Sequence, residues 1–164
     1  RPASLTAASE PLPVTDASKF AAYDRIAGGG PPRTTVLLAL ERFAAEGRPP
    51  GLAVDLGCGI GRDTIPLLER GWRVVALDRR PEALAALARR VPATAAPRLL
   101  LWAQRIEDAV PPAADLLVSS FALFLVSPER FPVVWARLRA ALRPGGRIAC
   151  QLLGPRDAWA GARV

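Results

Sequence analysis

The chain has 164 residues, enough for one domain with one core, and its 51% of apolar residues fall in runs shorter than the roughly 18 needed to cross a bilayer, so no transmembrane helix is expected. It has no histidine and two cysteines, Cys58 and Cys150, which excludes Ser-His-Asp and Cys-His catalysis, His-ligated metals and a disulfide framework; a reducing, cytoplasmic setting is expected, with no metal. The 22 basic residues outnumber 15 acidic ones for a formal charge of +7, but Lys19 is the single lysine and the arginines are scattered, a bias of the whole chain, so nucleic acid is not the expected partner.

Residues 1–16 are rich in Pro and Ala and lack the apolar stretch of a signal peptide; they are expected to form a flexible arm ahead of a domain over residues 17–164. Within that domain, residues 17–47 read as helices. A short one over Ala17–Ile26 would place Phe20, Tyr23 and Ala27 on one side, and Gly28-Gly29-Gly30-Pro31-Pro32 breaks it. A second, over Arg33–Glu46, carries Val36, Leu37, Leu40 and Phe43 at helical spacing and is stopped by Gly47.

Residues 51–153 read as the core. Strand Leu52–Leu56 leads through a glycine-rich turn to helix Asp63–Arg70, capped by Gly71. Strand Trp72–Leu77 precedes helix Pro81–Arg90, with Pro at its first turn. Strands Arg98–Trp102 and Asp115–Ser119 follow, then helix Arg130–Leu142 with Phe131, Val134, Trp135, Leu138 and Leu142 on one face. Pro144-Gly145-Gly146 then turns the chain into strand Arg147–Leu153. Continuous apolar strands alternating with helices predict an α/β fold: a three-layer, doubly wound, Rossmann-like sheet, mostly parallel.

The stretch Val54-Asp55-Leu56-Gly57-Cys58-Gly59-Ile60-Gly61-Arg62-Asp63 runs a strand into three glycines spaced by two, with a helix behind them. Glycines let a ligand approach the backbone, and a helix start offers unpaired N–H groups. A dinucleotide site wants GxGxxG, and here the last position is Arg62. Asp55, two residues before the first glycine, would repel a pyrophosphate but would favour the positive amino group of a methionine moiety; charge therefore favours S-adenosylmethionine over NAD. Asp78 closes Val74-Val75-Ala76-Leu77-Asp78, about 20 residues beyond the turn, where an acid meets ribose hydroxyls in doubly wound folds.

These residues resemble class I S-adenosylmethionine-dependent methyltransferases. Val54–Gly61 matches that family's first motif and Ala76-Leu77-Asp78 its second; 115–123 resembles the fourth-strand motif and Leu142–Arg147 the L-(K/R)-P-G-G turn before strand five. Gly30–Arg33 and Gln151–Trp159 further resemble a bacterial branch of small-molecule type, related to tellurite-resistance enzymes.

The resemblance implies a cofactor site and a small-molecule substrate. Asp55, Gly57, Cys58, Gly59 and Gly61 would hold the methionine end of S-adenosylmethionine, and Asp78 the ribose, with Arg79 beside the adenine. Gln104 stands where an acid commonly meets the adenine amino group, and its carbonyl can accept the same bond; Ile106 and Glu107 are neighbouring candidates. Ser119 and Phe121 would face the methyl group, and Tyr23, Arg33 and Phe124 are assigned to the substrate or lid. The product would be S-adenosylhomocysteine.

No residue stands out as a general base; Glu107, Asp108 and Tyr23 are the candidates. The family continues with two further strands, so strand five is expected to form an edge covered by a partner chain, as in a homodimer, by a terminal arm or by missing residues. Two other readings follow from the same residues. An RNA methyltransferase would be expected to carry (N/D)PP(Y/F) where the chain reads Ser119-Ser120-Phe121-Ala122. A non-catalytic S-adenosylmethionine-binding module would need the cleft alone.

Overall fold

A computed structural model describes residues 22, 24–26, 28–154 and 156. The expectations for residues 1–16 and for Phe20, Tyr23 and Ala27 lie outside the described residues. Five strands, β1 (Leu52–Leu56), β2 (Arg73–Asp78), β3 (Leu99–Ala103), β4 (Ala114–Ser119) and β5 (Leu142–Cys150), form one sheet in the order β3-β2-β1-β4-β5. All four pairings are parallel. Helices α1 (Thr34–Ala45), α2 (Thr64–Glu69), α3 (Pro81–Arg90) and α4 (Phe131–Ala141) accompany them, and the described residues 22 and 24–26 are also helical. This is the doubly wound, Rossmann-like α/β fold that the alternating runs predict.

The central strands are apolar throughout because both of their faces are covered. Ala53, Val74, Ala76, Leu116 and Val118 pack with Val36 and Phe43 of α1, Leu67 of α2 and Leu87 of α3. The alternate residues Val54, Leu56, Val75, Leu77 and Leu117 pack on the other face with Val134 and Leu138 of α4. The period of two along each strand thus splits one apolar run between two layers. No helix among the described residues is long and apolar enough to cross a membrane.

Most element limits fall within a residue or two of the predicted ones; strand five differs more. It begins at Leu142 and ends at Cys150, instead of running from Arg147 to Leu153. The expected Pro144-Gly145-Gly146 turn is a bulge inside it: Ala114 pairs with Leu142, yet Leu116 pairs with Arg147. Asp115 holds the looped-out residues, its Oδ2 accepting from the Leu52 N–H at 2.9 Å and from Arg143 at 2.8 Å. Gly145 takes the positive φ of +74° that the bulge requires. Beyond Cys150 the side chain of Gln151 donates to Thr35 Oγ1 at 2.7 Å, which ties the end of the strand to the start of α1.

The strand order reverses between β1 and β4. In open parallel sheets a ligand crevice forms at such a reversal, beyond the carboxyl ends of the strands. Asp55, Asp78 and Ser119 all lie at those ends, and all three are buried.

Leu117 is fully buried at the centre of β4, whereas Val133 on α4 is 60% exposed. Leu117→Ala is expected to lower the unfolding free energy by about 2–5 kcal/mol, and Val133→Ala by less than about 1 kcal/mol, in urea melts followed by circular dichroism. Equal costs for the two would show that the two-sided core is misassigned.

Candidate functional site

An open cleft of about 1130 Å³, counting its mouth, sits at the reversal point. Its floor is the turn after β1. Gly57 N–H and Cys58 N–H both donate to Leu77 O, at 2.7 and 2.9 Å, which pulls the turn against the end of β2. Gly57 has φ +76°, and a Cβ there would lie 2.3 Å from Ala122 Cβ, so no side chain fits between the turn and the segment after β4. Gly61, with φ +92°, has its missing Cβ replaced by Leu87 of α3 and does not line the cleft.

Asp78 borders the turn on one side and is 6% exposed. Its Oδ2 accepts from Gly59 N–H at 2.9 Å, and its Oδ1 accepts from Arg80 N–H at 2.9 Å and Arg80 Nε at 3.3 Å. Arg80 in turn donates to Asp24 Oδ2 at 2.8 Å. The segment before α1 is tied down at several further points. Arg90 donates to Gly28 O at 2.9 Å and also to Ile60 O, and Arg62 Nε donates to Pro31 O at 2.7 Å.

Asp55 lies deeper, 2% exposed, and its Oδ2 accepts from Thr64 Oγ1 at 2.6 Å. Burial first, then the nearby Asp63 and Asp78 carboxylates, push its carboxyl up to about 8, and the Thr64 hydrogen bond only partly offsets them. Asp63, 3% exposed, accepts from the Arg33 backbone N–H at 2.8 Å. The Cys58 thiol is pushed well above its ordinary value by burial and then by Asp55 and Asp78, which makes it a small wall residue and a poor nucleophile.

The wall across from the turn is apolar: Phe121, Ala122, Leu125 and Val126. Phe121 is the one described non-glycine residue with positive φ, +56°, a conformation that L side chains adopt only at a cost. The Arg33 guanidinium lies 4.6 Å over its ring. Ser120 Oγ, in the same wall, is buried and has no hydrogen-bond partner among the described residues.

The structure brings Asp55, Gly57, Cys58, Gly59, Asp78, Arg79, Gln104, Ile106, Phe121 and Arg33 to this one cleft. Three other predicted residues lie elsewhere. Ser119 points into the sheet, where its Oγ donates to Leu56 O at 3.2 Å, and Ser120 takes the place in the wall. Phe124 meets Phe121 edge-on, with ring centroids 6.4 Å apart, and does not line the cleft, and Gly61 packs against α3 as above. Tyr23 is outside the described residues.

Of the general-base candidates, Glu107 lines the cleft, but Arg105, at 2.9 Å, lowers its carboxyl below the usual value despite partial burial, which makes it a weak proton acceptor. Asp108 pairs with Arg130 at 3.4 Å on an exposed surface. Asp24, Arg62, Asp63, Arg80, Ser120 and Ala122 also line the cleft and were not among the expected site residues. Asp63 and Arg80 had a signal, since each lies two residues beyond the end of a motif; nothing in the sequence links Asp24 to position 80.

Residues 53–146 match a family model described as a methyltransferase domain. Among curated relatives, the chain is 32% identical over 111 residues to malonyl-[acyl-carrier protein] O-methyltransferase of Xylella fastidiosa (strain M23), covering 66% of this chain and 37% of that protein. It is 36% identical over 107 residues to trans-aconitate 2-methyltransferase of Sinorhizobium medicae (strain WSM419), covering 63% and 39%. The chain therefore spans about two fifths of the length of these curated relatives. Among solved structures it resembles Burkholderia thailandensis 1,6-didemethyltoxoflavin-N1-methyltransferase with bound 1,6-didemethyltoxoflavin and S-adenosylhomocysteine. That likeness has a TM-score of 0.59 and 29% identity, over 80% of this chain and 58% of that one.

The raised Asp55 carboxyl has a sign that stability measurements can read. Its folded value of about 8 lies above the unfolded one, so its contribution is fully present below about pH 4 and is lost as the pH rises through about 8. Asp55→Asn removes that loss while keeping an acceptor for Thr64. The variant is expected to be more stable than the wild type by about 1–3 kcal/mol at alkaline pH, with the difference vanishing near about pH 4. Thermal melts across that range check it; a variant less stable at every pH would show that Asp55 is ionised and satisfied.

Proposed function

The chain belongs to the methyltransferase-domain family, and on that premise we propose that it binds S-adenosylmethionine in this cleft and passes the methyl group to a small-molecule acceptor, leaving S-adenosylhomocysteine. The observation that carries the reading is the placement of Asp55 and Asp78, both buried, on one cleft with the glycine turn between them. The functional unit is taken as residues 17–164, with its Rossmann-like core over residues 51–153.

The residues fit the cofactor by their chemistry. Asp55 suits the amino end of the methionine moiety, which is cationic, and the bare backbone at Gly57 and Gly59 admits it closely. Asp78 offers two carboxylate oxygens to a ribose diol, and Arg80, which now holds one of them, has Asp24 as a second partner on which to remain. Arg79, the Gln104 carbonyl and the apolar Ile106 suit the adenine. Arg33, whose backbone is fixed to Asp63 beside the turn, is placed to close the cleft from the α1 side.

When bound, the sulfonium supplies a methyl carbon already activated for displacement. The protein is left to align the acceptor and exclude water. Phe121, Ala122, Leu125 and Val126 form a dry wall suited to that task, and the buried Ser120 hydroxyl offers the acceptor one polar contact. Glu107 is held by Arg105, so the reading favours acceptors that are nucleophilic without losing a proton to the enzyme. Similarity to the trans-aconitate and 1,6-didemethyltoxoflavin methyltransferases supports an acceptor of small-molecule size.

Titration calorimetry with S-adenosylhomocysteine tests the site. The wild type is expected to bind, and Asp78→Ala to lose at least about 100-fold in affinity, roughly 2.7 kcal/mol, with its fold retained by circular dichroism. Gly59→Val, which puts a branched side chain at φ +52°, is expected to block binding as well. Unchanged affinity in Asp78→Ala would overturn the assignment of the ribose end.

A further inference from the structure

The three buried carboxylates of the cleft are not treated alike. Asp78 has a cation against it, Arg80 Nε at 3.3 Å. Asp55 and Asp63 have only neutral partners: the Thr64 hydroxyl at 2.6 Å for Asp55, and the Arg33 backbone N–H at 2.8 Å for Asp63. Among the described residues no arginine side chain forms an ion pair with either. The groups that act on Asp55 are Asp63 and Thr64 at the start of α2 and Asp78 at the end of β2, with Cys58 beside it in the turn. Arg80 is committed to Asp78 and Asp24; of the other arginines that line the cleft, Arg105 pairs with Glu107, Arg62 donates to Pro31 O, Arg33 lies over Phe121, and Arg79 forms no ion pair with Asp55 or Asp63.

Asp63 adjoins Thr64, the residue whose hydroxyl holds Asp55, and both carboxylates line the one cleft at 2% and 3% exposure. So deeply buried, and with no ion pair among the described residues, they cannot both ionise cheaply; such a pair keeps one proton until a cation arrives. On the reading that this cleft takes S-adenosylmethionine, we propose that Asp63 is a positioning residue for the cofactor's amino group: it makes Asp55 retain a proton before binding, and Asp55 releases that proton to solvent when the ammonium docks. No covalent bond to the cofactor changes; one carboxyl O–H ionises, and its proton leaves to bulk water. The rise of the Asp55 carboxyl to about 8, with Asp63 as its largest electrostatic cause after burial, agrees with this arrangement. Asp63 was not among the expected site residues, and it touches the amino group only through its effect on Asp55.

The consequence is proton-linked binding. Affinity for S-adenosylhomocysteine, which keeps the amino group, is expected to rise by up to about tenfold per pH unit from about pH 6 towards about pH 8. It should flatten there, because Asp55 is then already ionised and a free amino group begins to lose its own proton near about pH 8. Calorimetry near about pH 7 in two buffers of different ionisation heat is expected to show release of close to one proton per ligand bound. 5′-Methylthioadenosine, which lacks the amino acid, is expected to bind with no release.

Asp63→Asn keeps a carbonyl for the Arg33 N–H and removes only the charge. It is expected to reduce proton release at neutral pH and to move the rise in affinity to lower pH by about one unit or more. Carboxyl carbon NMR of the ligand-free protein gives a readout independent of binding: one carboxyl titrating near about pH 8 in the wild type and lower in Asp63→Asn. Wild-type protein that binds S-adenosylhomocysteine without proton exchange, or an Asp63→Asn variant with an unaltered pH profile, overturns this proposal and leaves the cofactor reading intact. Wild-type protein that binds neither ligand overturns the cofactor reading, and this proposal with it.

Discussion

The structure turns on two hydrogen bonds that Gly57 N–H and Cys58 N–H make to Leu77 O. They fold the end of β1 over the end of β2 and fix a bare stretch of backbone at the floor of the cleft. Asp55 then lies below the bend and Asp78 beside it, where Gly59 N–H reaches Asp78 Oδ2 at 2.9 Å. The turn also needs room, and the glycines provide it. Ala122 fills the space where a Gly57 side chain would stand, and Leu87 fills the space at Gly61. The segment after β4 and helix α3 can therefore approach the same bend from two directions, and the cleft is the gap that remains.

That geometry puts charge where burial opposes it. The sheet is dry on both faces, and Asp55, Asp63 and Asp78 sit at its rim with exposures of 2%, 3% and 6%. Isolated carboxylates so placed would cost several kcal/mol each. The fold offsets the cost in two ways. Arg80 compensates Asp78 directly and bridges it to Asp24, so the segment ahead of α1 is anchored by the same charge that borders the glycine turn. Among the described residues Asp55 and Asp63 receive dipoles only, from Thr64 and the Arg33 backbone, and no ion pair balances their charge. A cleft that withholds its own cations from two acids favours a cationic guest over an anionic one.

Much of this was legible in the sequence, for physical reasons. Central parallel strands are buried on both faces, so β1, β2 and β4 show as plain apolar runs. Pro81 at the first turn marks the start of α3. The glycine turn and Asp78 are readable because each is contiguous with its strand. Strand five was misplaced because its bulge is fixed by Asp115, which lies 28 residues from Arg143 and 63 from Leu52. Ser119 was preferred to Ser120 because the pleat decides which of two neighbours faces the cleft, and that register comes from the pairing of β4 with β5. Asp24 and Arg80 are 56 residues apart, and no local pattern links them.

The wall of the cleft that follows β4 shows a different balance of forces. Phe121 is held at φ +56°, a strained conformation costing on the order of 1–3 kcal/mol, and its ring supports the Arg33 guanidinium. Tight surroundings are needed to hold it, and Ala122, at 2.3 Å from where a Gly57 side chain would begin, leaves the backbone little freedom to relax. The strain therefore fixes an aromatic wall opposite the glycine turn. Across from it, Glu107 is neutralised by Arg105 and Cys58 is kept as a thiol by burial, so neither is poised to take a proton. With rigid walls and neither of these groups poised as a base, the described residues suit alignment and exclusion of water. Under the methyl transfer proposed above, whose leaving group is already activated, that is the task left to a chain without histidine.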